Sequence, residues 1–155
     1  MTRARVGSGL LAILVMSVIT SSAMAQASST RVPFTQFQFV PCAGEVVEIS
    51  GTLHIVSRTT VDNTGGTHIK IHSQPQGATG EGLLSGDLYR GGGVTQVTIN
   101  TNSGGLPFSA TFINNFGLIG RGPVPDLHVH QTIHLTINEN GEITANISET
   151  RITCD

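Results

Sequence analysis

Past residue 25 the chain has no long apolar run, no cluster of basic residues and no Cys-x-x-Cys pair. A helix that spans a bilayer needs about 20 apolar residues, so none is expected in that part. Arg31, Arg58, Lys70, Arg90, Arg121 and Arg151 stand there against ten acidic residues, a net of −4 with histidines neutral. Without a basic stripe to neutralise a row of phosphates, nucleic acid is excluded as a partner. The chain contains no Gly-x-Ser-x-Gly, no His-Glu-x-x-His and no phosphate loop ending in Gly-Lys-Ser/Thr, so no standard hydrolytic, zinc-protease or nucleotide-binding chemistry is indicated. No segment after residue 25 repeats its apolar residues at the helical period, so no helix is expected.

What is present begins with a leader. Arg3 and Arg5 precede an apolar run from Leu10 to Ile19, and Ala23-Met24-Ala25 places small residues where a signal peptidase cuts. Residues 1–25 are therefore expected to be a signal peptide, and the mature chain to be secreted or periplasmic. The remaining 130 residues suit one domain. In an oxidising compartment a lone pair of cysteines is expected to be oxidised. Cys42 precedes the first clear strand and Cys154 follows the last, so their disulfide would tie the ends of the domain together.

Between those cysteines, Asp62–Gly66, Gln74–Gly77, Gly91–Gly93, Asn102–Gly105 and Asn138–Gly141 read as turns separating β-branched runs. Strands are expected at 45–58, 67–73, 82–90, 94–101, 108–116, 126–138 and 142–153. A further edge strand is expected at 35–40, inside an N-terminal segment of residues 26–41. The fold class is all-β: a small antiparallel meander barrel of seven or eight strands over residues 42–155, with a two-sheet sandwich as the alternative. In the last hairpin a Glu139-Asn140-Gly141 loop sets Ile137 against Ile143, Ile133 against Ile147 and Gln131 against Glu149. Pairing the first strand with the last sets Ile49 against Ile147, Leu53 against Ile143 and Glu45 against Arg151. Closure of that kind removes exposed sheet edges.

All six histidines occupy even positions of expected strands, with aliphatic residues at the odd ones. They should share the face opposite the core, with His54 across from His72. His128 and His130, two apart, project the same way and are the candidate ligands for zinc or copper. His134 lies about 13 Å from His130 along an extended strand, too far to share a metal. A second constellation is Glu45, Gln131, Glu149 and Arg151, expected on the aliphatic face near the disulfide end, where polar groups at a pocket mouth can orient a small ligand.

The stretch Phe112-Ile113-Asn114-Asn115-Phe116-Gly117-Leu118-Ile119-Gly120, followed by His130-Gln131-Thr132-Ile133-His134-Leu135-Thr136-Ile137-Asn138, resembles a set of uncharacterised exported bacterial proteins of about 150 residues. Those begin with Pro-Cys before the first strand and end with a Cys after the last, as Cys42 and Cys154 do here. The resemblance covers about residues 40–154 and implies the architecture, with no functional residues attached. The expected function is an extracytoplasmic binding module for a small-molecule ligand or an extracellular protein, needing no cofactor. Two alternatives are a histidine-dependent metal-binding protein and a cofactor-free isomerase or cyclase with Glu149 as base.

Overall fold

The computed structural model describes residues 24–155. Seven antiparallel strands form one sheet in chain order: β1 (Met24–Val40), β2 (Glu45–Val61), β3 (Thr67–Gly82), β4 (Leu88–Thr101), β5 (Phe108–Gly120), β6 (Leu127–Ile137) and β7 (Ile143–Cys154). The expected signal peptide lies almost wholly outside the described residues. Only Met24 and Ala25 of it are seen, opposite Val61 and Thr60.

Where strands break follows from which residues can donate to a ladder. The turns at 62–66, 102–105 and 138–141 are as expected, and the Asp62 carboxylate holds the first by accepting from the Thr64 and Gly66 N–H groups. Gln74–Gly77 and Gly91–Gly93 are not turns, which corrects the expected boundaries. Both lie within strands, and β3 turns into β4 at residues 83–87 instead. Between Ser73↔Thr95 and Thr79↔Arg90 the ladder is interrupted, with the five residues Gln74–Ala78 facing the four residues Gly91–Val94. Pro75 has no N–H to give β4, and a β-bulge absorbs the mismatch. The edge strand expected at 35–40 is likewise longer: β1 pairs with β2 along its whole length.

That long β1 overturns the expected pairing of first strand with last. β2 has β1 on one side and β3 on the other, so it has no edge to offer β7. β1 and β7 are the two edges of a single sheet, which rules out the two-sheet alternative and leaves the hydrogen-bonded circuit of a barrel open. The Cys42–Cys154 disulfide nevertheless joins residues 112 apart in sequence with Cα atoms 5.8 Å apart. Strands lie about 4.8 Å apart, so β2 and β7 in a flat sheet would be about 24 Å apart. The sheet is therefore rolled at the disulfide end. Glycine allows the curl: a Cβ at Gly51 would stand 2.9 Å from Ala78 Cα.

The core sits inside that rolled end. Val40, Val47, Ile49, Ala78, Tyr89, Leu118 and Leu127 are fully buried, with Phe34, Phe116 and Val129 packed around them. Farther from the disulfide the same face carries Ile69, Ile71, Val97, Ile99, Phe112 and Leu135, which are only half-buried. Ile133 and Ile143, also on that face, are exposed. Seven strands without a second layer cover one end of the apolar face and leave the other thinly screened.

The cross-strand pairs put all six histidines on the opposite, outer face, though not in the expected partnerships. His54 faces Gln74 and His72 faces Val56, a shift of two residues that preserves the side but separates the pair. In the last hairpin Ile137 does face Ile143, but a bulge between Thr136 and Ile137 moves every earlier pair by one. Ile133 thus faces Ser148 rather than Ile147, and β7 presents its odd residues to the histidine face.

Candidate functional site

The bulge decides which side chains meet. Arg151 lies opposite His130, and Thr153 opposite His128. On the other side of β6, His130 faces Asn115 and His128 faces Gly117. Two rows of outward side chains therefore cross β5, β6 and β7: Asn115–His130–Arg151 and Gly117–His128–Thr153. Beside them Gly92 pairs with Gly117, so two adjacent strands carry no side chain at that point. The result is an open groove of about 510 Å³ with Gly92 and Gly117 on its floor and Ile119, His128, His130, Arg151 and Thr153 around it.

The polar walls have defined hydrogen-bonding states. His130 Nδ1 lies 2.6 Å from Asn115 Oδ1, an atom that only accepts, so Nδ1 carries the hydrogen and donates it. His130 Nε2 is left with a long 3.4 Å contact to Thr132 Oγ1. His128 Nε2 is 3.6 Å from a carboxylate oxygen of Asp155. Arg151 is exposed and, among the described residues, makes no ion pair. The groove thus offers one unpaired guanidinium and two imidazoles beside the bare backbone of Gly92, with the His128 ring lying over Gly117, its Nδ1 3.3 Å from where a Cβ would stand. No group of three His, Cys, Asp or Glu side chains among the described residues is placed to hold a metal ion. His128 and His130 share a face, and the third ligand that a tetrahedral site needs is not supplied from β5 or β7.

Of the expected polar constellation, only Arg151 joins this groove. Glu149 faces Thr132, on the outer face, and Gln131 faces Thr150 on the inner one, so the two do not meet. Glu149 is consequently not a base within a barrel interior. Glu45 is apart from all three. It is the one charged residue buried among those described, 5% exposed. Its carboxylate accepts from the Ser85 hydroxyl at 2.6 Å and from the Leu84 and Ser85 N–H groups at 2.9 and 3.1 Å. Glu45 therefore fastens the β3–β4 turn onto the rolled end, and the anticipated Arg151 partner is replaced by backbone.

The Ser85 hydroxyl, then the two backbone N–H groups, hold the Glu45 carboxyl below its ordinary value of 4.5. A folded-state value depressed in this way stabilises the protein above the ordinary value, and the contribution is lost as pH falls through the lowered one. Glu45→Gln is expected to lower the melting temperature at pH 7 and to flatten its fall below about pH 4.5. Calorimetry at pH 7 and pH 3 checks this: equal losses at both would show that the carboxylate charge contributes nothing.

At the far end of the sheet His68 is held from both sides, Nδ1 by Asn100 Oδ1 at 2.9 Å and Nε2 by Asp62 Oδ2 at 3.1 Å. Two oxygen acceptors on both ring nitrogens favour the imidazolium, and Asn100 first, then Asp62, raises the His68 pKa above its usual value. This network pins the β2–β3 turn. The sequence contained its signal, an Asp-Asn-Thr-Gly-Gly turn beside a strand histidine, but the Asn100 partner comes from β4 and is set by register alone.

No protein-family model, curated protein or solved structure matches the chain.

Proposed function

We propose that the mature domain is an extracytoplasmic binding module that takes a small ligand with a carboxylate and a flat apolar body in the Gly92–Gly117 groove. The observation that carries this reading is the open backbone of Gly92 beside the His128 ring, flanked by His130 and an unpaired Arg151. Glycine at position 92 lets a planar group rest on its peptide plane beside the His128 imidazole, while a guanidinium presents the fork that matches a carboxylate. Ile119 supplies an apolar wall. The Cys42–Cys154 disulfide fits an oxidising compartment. No helix among the described residues is long and apolar enough to cross a membrane. The leader read in residues 1–25 is the route by which the chain would leave the cytoplasm.

Benzoate and its uncharged analogue benzamide test this reading. In ¹H–¹⁵N spectra of the disulfide-bonded chain, benzoate is expected to shift Gly92, Gly117 and the Arg151 side chain saturably. Benzamide is expected to bind about tenfold more weakly, a difference of about 1.4 kcal/mol. Nothing lies within 4 Å of a Cβ built at Gly92, so Gly92→Val fills the groove without disturbing the fold; it should abolish the shifts. Shifts that persist in that variant would overturn the assignment.

A further inference from the structure

A second set of cations on the outer face is not explained by the groove. Arg58 on β2 and Lys70 on β3 are directly opposed in register, and both are exposed. Like charges set directly opposite each other across an antiparallel pair repel. A sheet usually answers with an acid on the neighbouring strand, and none is there. Lys70 faces Thr98 on β4, and Arg58 faces Ala27 on β1. Along the strands the same-face neighbours are Val56 and Thr60 beside Arg58, and His68 and His72 beside Lys70. The nearest turn carboxylate, Asp62, is engaged by His68, Thr64 and Gly66. Neither Arg58 nor Lys70 makes an ion pair among the described residues.

These two side chains border a depression of about 330 Å³, together with His72, Gln96 and Thr98. We infer that Arg58 and Lys70 form a site for a doubly charged oxyanion, a phosphate or sulfate group, free or as an ester. Two adjacent positive charges with no carboxylate between them match a dianion. Arg58 supplies a planar fork and Lys70 a mobile point charge. The Gln96 amide, the Thr98 hydroxyl and the His72 ring add further hydrogen-bonding groups. The site shares no residue with the Gly92–Gly117 groove, so either stands or falls without the other. A chain with a surplus of acids gathers two of its six mature cations at one unpartnered cross-strand pair, and a bound anion removes that repulsion.

The test uses the disulfide-bonded mature chain with inorganic sulfate, inorganic phosphate and glycerol phosphate as probes, against sodium chloride at matched ionic strength. Saturable shifts of the Arg58 and Lys70 side-chain resonances at millimolar sulfate or phosphate are expected. They should weaken at least tenfold in R58Q or K70Q and be unchanged in R121Q, which removes an exposed arginine elsewhere. Melting gives an independent readout. K70T should melt slightly higher than the parent in chloride, through relief of repulsion, and lose the extra increment that sulfate gives the parent. Glycerol phosphate binding more tightly than phosphate would identify an ester as the ligand, and equal affinity would identify the free ion. Linear, unsaturating shifts, or a sulfate increment identical in K70T and the parent, would overturn the site.

Discussion

Replacing both Cys42 and Cys154 by serine should cost about 4–5 kcal/mol of stability, the chain-entropy value for closing a loop of this length. For a domain of this size that corresponds to a fall in melting temperature of about 15 °C. The bond joins residues 112 apart, and no hydrogen-bonded ladder does the same work, because β1 and β7 are both free edges. In a closed barrel, loss of the bond would leave a circuit of backbone pairs intact. Here it releases the two sides of the roll that encloses Val40, Val47, Ile49, Leu118 and Leu127. Urea unfolding of the double variant measures the cost. A loss under about 1 kcal/mol, below the usual range for a native disulfide, would mean that core packing alone keeps the sheet rolled. Exposure of apolar surface in the folded baseline, read by dye binding, would show the roll opening before global unfolding.

Gly93→Ala is the second large effect, at about 3 kcal/mol, the range in which single substitutions reveal a specific steric mechanism. Gly93 has φ +141°, a backbone conformation that side chains disfavour, and a Cβ there would collide with the Asn115 carbonyl oxygen and stand 2.8 Å from Phe116 Cα. Both obstacles belong to the β5 backbone, so neither swings aside. The neighbouring Gly92→Ala is the control. Its Cβ meets nothing within 4 Å, and replacing glycine where the backbone tolerates it is neutral or stabilises by about 0.4–1 kcal/mol through the unfolded chain. Denaturant melts of the two single variants compare adjacent residues in one strand. Equal losses would show that the glycine run matters for flexibility rather than for the close approach of β4 to β5.

The two variants also bear on how much was readable beforehand. Gly91-Gly92-Gly93 looks like a turn because glycine is the commonest turn residue, and turn and bulge draw on the same freedom at φ > 0. Only the partner strand distinguishes them, and β5 runs past all three glycines. Gln74–Gly77 misleads in the same way. The Asp62–Gly66 and Asn138–Gly141 turns were readable because their geometry is held within the turn itself, by Asp62 and Asn138 side chains accepting from nearby N–H groups. The groove was half legible. His128 and His130 are visible as an alternating pair, whereas Arg151 belongs to their face only through the Thr136/Ile137 bulge. A one-residue slip exchanges the faces of a strand, and it moved Glu149 and Arg151 from the aliphatic side to the histidine side together.

By itself the sequence determined what repeats locally: an all-β chain of antiparallel strands, the histidines segregated from the aliphatic residues, and two terminal cysteines able to pair. Alternation with period two is written into each strand and needs no partner to be read. The tertiary structure alone decided that β1 extends back to Met24 and occupies the edge β7 would need for closure. It decided too that the roll is held by a disulfide, and that Arg151 stands beside His130 over a glycine floor. Those outcomes depend on register between strands far apart in the chain. Register is set by the sum of many small pairing and packing energies, and a single bulged residue is enough to change its sign.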